Sequence, residues 1–77
     1  MWQLSVEALK EAAKRAHGDI TGYAISRRTG ISESSAYRIL SGAAQPDLNT
    51  ALRLATAYAV PVEQLVERIE TDDSIAA

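Results

Sequence analysis

The chain has 77 residues, no cysteine and a formal net charge of −2. A chain this short makes one small domain that buries roughly 60% of its unfolded surface, and the missing cysteines remove disulfides and thiolate metal sites together. Its apolar runs are only a few residues long, far below the roughly 20 residues that a membrane-spanning helix requires.

Residues 1–5 show no basic segment followed by an apolar run, so no secretory leader is expected and a cytoplasmic protein is the plain reading. The charge is unevenly spread. Residues 1–53 carry seven Lys and Arg against five Asp and Glu, whereas residues 54–77 carry Arg68 against five acids. A basic face on the first part of the chain is therefore compatible with the overall acidity.

In chain order, Ser5 can cap a first helix with Glu7 in its first turn. Val6, Leu9, Ala13 and Ala16 recur at helical spacing, and His17-Gly18 ends the segment. Thr21 can cap a second helix running to about Thr29, with Ala24 and Ile25 facing inward and Gly30 closing it. Ser32 then caps a third helix that ends before Gly42. Only Gly30, Ile31 and Ser32 separate these two helices, so they must cross steeply, which is a helix-turn-helix over about residues 21–41.

Ala43-Ala44-Gln45-Pro46 reads as a loop, because Pro46 disfavours helix at the residue before it. Asp47 caps a fourth helix whose apolar face is Leu48, Ala51, Leu52, Leu54, Ala55 and Tyr58. After the break at Val60-Pro61, the spacing of Val62, Leu65, Val66 and Ile69 predicts a fifth amphipathic helix. No period-two alternation persists, so no strand is expected. The predicted architecture is all-α: a compact five-helix bundle over residues 1–69, with 70–77 a flexible tail.

Chemistry of other kinds finds little support. His17 is the single histidine, and its place near a helix C-terminus suits a dipole partner better than a ligand or a base. No metal-ligand cluster, nucleophile-base pairing or Gly-rich phosphate loop stands in the sequence. An enzyme is not expected, nor a cofactor, a metal or a small-molecule substrate.

Between residues 20 and 65 a family pattern is present: Ile20-Thr21, Ile25, Thr29-Gly30-Ile31-Ser32, Ser35-Ala36, Arg38-Ile39, Ser41-Gly42, Pro46-Asp47-Leu48, Leu54-Ala55 and Val60-Pro61-Val62-Glu63-Gln64-Leu65. This resembles the Cro and phage-repressor type of helix-turn-helix DNA-binding domain. The resemblance implies a sequence-specific regulator of transcription, of phage, plasmid or bacterial origin, that places its third helix (33–41) in the major groove of an operator. It also implies binding as a homodimer, formed on a palindromic site. Three departures stand out. Gly22 replaces a frequent Gln that contacts phosphate, Ser26 replaces a small apolar residue, and Ala43-Ala44 replace residues that are often basic.

On the third helix Ala36, Ile39 and Leu40 form one apolar face, and Glu33, Ser34, Tyr37 and Arg38 occupy the other. These four are the expected base-contacting residues. Arg38 can fork onto guanine or hold a phosphate, Glu33 can accept from cytosine N4, and Ser34 suits either base type. Tyr37 offers a hydroxyl to phosphate and a ring to a thymine methyl. Two alternatives stay open: Glu33 serving only the helix N-terminus, and Tyr37 packing over the edge of the second helix. Thr21, Tyr23, Arg27, Arg28, Ser32, Ser35 and Ser41 are expected to meet phosphates.

Candidate dimer surfaces are the predicted fifth helix, through Val62, Val66 and Ile69, and Trp2 with Leu4, although Trp2 can equally pack within its own chain. A different functional class, a protein-interaction or antitoxin-like module on the same fold, is the alternative reading. The terminal Ala76-Ala77 also resembles tails taken by bacterial AAA+ proteases.

Overall fold

The computed structural model describes residues 1–69. The expected tail, and with it Ala76-Ala77, lies outside the described residues. Strand β1 (Trp2–Leu4) is followed by helices α1 (Val6–His17), α2 (Gly22–Thr29), α3 (Glu33–Leu40) and α4 (Leu48–Ala57). A single 3-10 turn (Val62–Gln64) and strand β2 (Val66–Arg68) complete the order.

Every predicted N-cap forms. The side-chain oxygens of Ser5, Thr21, Ser32 and Asp47 accept from the amides of Ala8, Ala24, Ser35 and Thr50 at 3.2, 3.0, 3.1 and 2.8 Å. Each satisfies one amide that the first helical turn leaves without an intrahelical partner. At the other end of α1, Gly18 takes a left-handed φ of 71°, and the Asp19 amide reaches back to the Ala13 carbonyl. That closure turns the chain into α2.

Leu9 and Ala13 of α1, Ile25 of α2, Ala36 and Ile39 of α3, and Leu54, Ala55 and Tyr58 at the end of α4 meet in one core with Leu4 and Leu65. Ala36 is fully buried, and its small side chain lets α3 lie close against its neighbours. Not all of the apolar face expected for α4 is covered, because Leu48 and Leu52 remain exposed.

Two expectations are corrected here. Among the described residues there are four α-helices and a two-stranded sheet rather than five helices, and strands are present where none was expected. β1 and β2 pair antiparallel, with Trp2 opposite Arg68, Gln3 opposite Glu67 and Leu4 opposite Val66. Flanking bonds extend the ladder, Ser5 N–H to the Leu65 carbonyl and Ile69 N–H to the Met1 carbonyl. The apolar spacing of residues 62–69 fits a helix, but no side chain caps the turn at Pro61, and of these apolar residues Leu65 is fully buried while Val62 packs only partly against the core. Backbone groups past Leu65 then find partners in β1 instead of one turn back in their own segment.

The expected dimer surfaces change accordingly. Leu4 is buried in the core and Val66 sits in a strand, so neither surface exists as foreseen. Trp2 does not pack into the interior; it stays 65% exposed on the strand. The outward amide of Leu4 is taken by Oε1 of Gln45 at 2.8 Å, so the loop before α4 latches the outer edge of β1.

Candidate nucleic-acid interface

The turn between α2 and α3 is held by side chains as well as by backbone. Ser26 Oγ donates to the Ile31 carbonyl at 2.7 Å, and Thr29 Oγ1 donates to the Ile25 carbonyl at 2.8 Å. Ser26, which departs from the small apolar residue usual in the family, therefore clasps the turn from the helix before it. Gly30 at φ 83° supplies the left-handed residue. A side chain there would crowd the Arg53 guanidinium, which donates to the Thr29 carbonyl at 3.4 Å.

With that angle fixed, α3 presents two unlike faces. Ala36 and Ile39 are buried, while Glu33, Ser34, Tyr37 and Arg38 are exposed. The structure thus brings together on one solvent face the four residues expected to contact bases. Ser32 and Ser35 stand at the helix start, where the Ser32 hydroxyl donates to Ser35 Oγ at 2.8 Å. Ser41 caps the far end, its hydroxyl donating to the Arg38 carbonyl at 3.0 Å.

On α2, Tyr23 and Arg27 are both exposed, and the Arg27 guanidinium lies over the Tyr23 ring, 5.8 Å from its centroid. One turn of helix orients both side chains toward the same solvent region. Arg28 is placed differently. Its Nε and Nη2 donate to Oδ2 and Oδ1 of Asp19 at 2.9 and 3.3 Å, a bidentate pair pointing back toward the core.

Asp19 was not among the residues singled out from the sequence, yet it is the buried polar centre of the domain. Besides Arg28 it accepts the Tyr58 hydroxyl at 2.9 Å. The Arg28 side-chain hydrogen bonds hold its carboxyl below the usual carboxylate range, against the opposing effect of burial, and the Tyr58 bond adds to the lowering. Burial, and after it the bond to Asp19, pushes the Tyr58 hydroxyl well above the normal phenol value. His17, in the last turn of α1, rests its ring 5.9 Å from that of Tyr58. The signal for this cluster was a lone acid just after a helix-ending glycine; its partners are nine and 39 residues away.

Gly22 is the second residue whose role was not foreseen. It is buried at the start of α2, and the Tyr37 ring covers it. Tyr37 therefore packs against the edge of α2, the alternative left open for it, while its ring stays half-exposed on the outer face of α3.

A helix-turn-helix with a polar, solvent-facing second helix defines a DNA-binding class of domain. The model of the helix-turn-helix domain family matches residues 4–69, and the chain belongs to that family, of the Cro and phage-repressor type. Membership implies DNA as partner, and the family is one of DNA-binding domains rather than enzymes. No curated protein and no solved structure matches the chain. Among the described residues no helix is long and apolar enough to cross a membrane.

Proposed function

We propose that the protein is a sequence-specific, double-stranded DNA-binding regulator of transcription, a repressor of phage, plasmid or bacterial origin acting in the cytoplasm. It inserts α3 in the major groove of an operator and blocks access by occupancy. The observation that carries this reading is the division of α3. One face is locked into the core through Ala36 and Ile39, and the other exposes Glu33, Ser34, Tyr37 and Arg38, with no hydrogen bond within the chain to their side-chain polar atoms among the described residues. Rigid placement with free donors and acceptors is what base-edge recognition demands.

In this reading Arg38 reads guanine, Glu33 accepts from cytosine and Ser34 and Tyr37 complete the surface. Thr21, Tyr23, Arg27, Ser32, Ser35 and Ser41 fix the register on phosphates. Arg28 joins that row only from its pinned position beside Asp19. With the guanidinium of Arg28 largely committed, backbone attraction is modest, and a two-fold pair of domains on a palindromic site supplies what one copy lacks.

Selection of bound sequences from a random duplex pool tests the proposal, with Arg38→Ala run in parallel. An inverted repeat enriched by the wild type and degraded at the arginine-read positions in the variant is the expected outcome. No enrichment at low salt overturns it.

A further inference from the structure

Of the four glycines, Gly18, Gly30 and Gly42 take positive φ, and Gly22 does not. Its backbone is ordinary helix, where glycine is weaker than alanine. What sets Gly22 apart is space. A Cβ at this position would lie 2.8 Å from Cδ1 and Cγ of Tyr37 and 2.9 Å from Cε1. These atoms run from the root of the ring along one edge, so the clash cannot be relieved by bending a flexible tip. Either Tyr37 leaves its rotamer or α2 and α3 move apart, and the second course would pull on the buried Ala36 and the Ser26 clasp.

Tyr37 lies one helical turn from both Glu33 and Ser34, so its ring position shapes the surface that those residues share. We propose that Gly22 is a positioning residue for DNA reading. Its missing side chain seats the Tyr37 ring on the first turn of α2 and thereby fixes which bases α3 accepts. The inference rests on the proposed function and adds a residue that itself offers no group to the DNA.

The test compares wild type, Gly22→Ala, Tyr37→Ala and the double variant by pool selection and by affinity for the wild-type site. Gly22→Ala is expected to lose about tenfold in affinity for that site and to change the bases preferred beside Tyr37. Beside Tyr37→Ala the same substitution is expected to act less than about twofold, because the coupling has lost one partner. Equal losses in both backgrounds, or an unchanged preference in a folded Gly22→Ala protein, overturn the proposal while leaving DNA binding intact. No selected sequence for the wild type overturns the functional reading first, and this inference with it. Should Gly22→Ala unfold alone but fold beside Tyr37→Ala, the seat is demonstrated, and preference is then read from Tyr37→Ala against wild type; identical preferences overturn the proposal. An independent check needs no DNA. The Gly22 Hα resonances of the free protein should move downfield in Tyr37→Leu, and unmoved resonances overturn the seat itself.

Discussion

The hydroxyl of Tyr58, at the end of α4, donates to the carboxylate of Asp19, in the turn before α2, at 2.9 Å. The same carboxylate takes two donors from Arg28 of α2. The turn before α2, the end of α2 and the distant end of α4 are thus joined at one buried acid.

Tyr58→Phe removes the hydroxyl and leaves Asp19 with Arg28 alone. The lost bond is to a charged acceptor in a buried setting, so unfolding free energy should fall by about 1–2 kcal/mol in urea denaturation. An unchanged midpoint would mean that water replaces the hydroxyl at no cost.

The acid limb of stability follows from the same contacts. Asp19 titrates below its ordinary value of 3.8 in the folded protein, and so does Asp47, held down first by its bond to the Thr50 amide. Between the folded and unfolded values the unfolded chain binds more protons, so this contribution is present above about pH 4 and is lost as pH falls through the folded values. Tyr58 acts in the opposite sense. Its raised value gives a contribution present below pH 10.0, the ordinary phenol value, and lost at higher pH. Denaturation midpoints measured from pH 2 to 11 should give a plateau with both limbs falling, and Asp19→Asn should make the acid limb shallower.

Ala59 offers a stabilising change. Helices α1 and α3 are followed by Gly18 and Gly42 in the left-handed region, whereas α4 is followed by Ala59 at φ 55°. The Val60 amide bonds back to the Ala55 carbonyl, the same closure that Ala43 makes to Arg38 after α3. A left-handed conformation costs a residue with a Cβ about 1–2 kcal/mol, partly offset by the greater freedom of glycine in the unfolded chain. Ala59→Gly should therefore raise stability by about 0.5–1 kcal/mol, seen as an increase in Tm with the DNA preference unchanged.

Glu33 tests the division of labour on α3. An acid at the groove floor repels phosphate on any sequence and is compensated only where a base donor faces it. Glu33→Gln should strengthen binding to random duplex and relax selection at the facing position. If Glu33 merely favours the helix N-terminus, stability alone should fall, by about 0.3–1 kcal/mol.

Much of this was legible in the residues. Helix starts follow from a local bond between a cap side chain and an amide three residues on, so Ser5, Thr21, Ser32 and Asp47 could each be found from their own neighbourhood. The two faces of α3 follow from the 3.6-residue period in the same way, and with them the four candidate base-reading residues. Gly30-Ile31-Ser32 fixed the turn for the same reason: its geometry is decided within a few residues.

What the tertiary structure alone decided involves partners far apart in the chain. Residues 66–68 hold a helical spacing and become a strand because β1, at the other end of the described chain, supplies the backbone partners. Arg28 reads as a phosphate ligand until Asp19 is seen beside it, and Asp19 reads as a turn acid until Tyr58 arrives from α4. Gly22 reads as a weak helix start until the Tyr37 ring fills the space of its missing Cβ. A sequence pattern records the preferences of a segment. Whether a charge is free, a strand is paired or a gap is filled depends on what the fold brings against it.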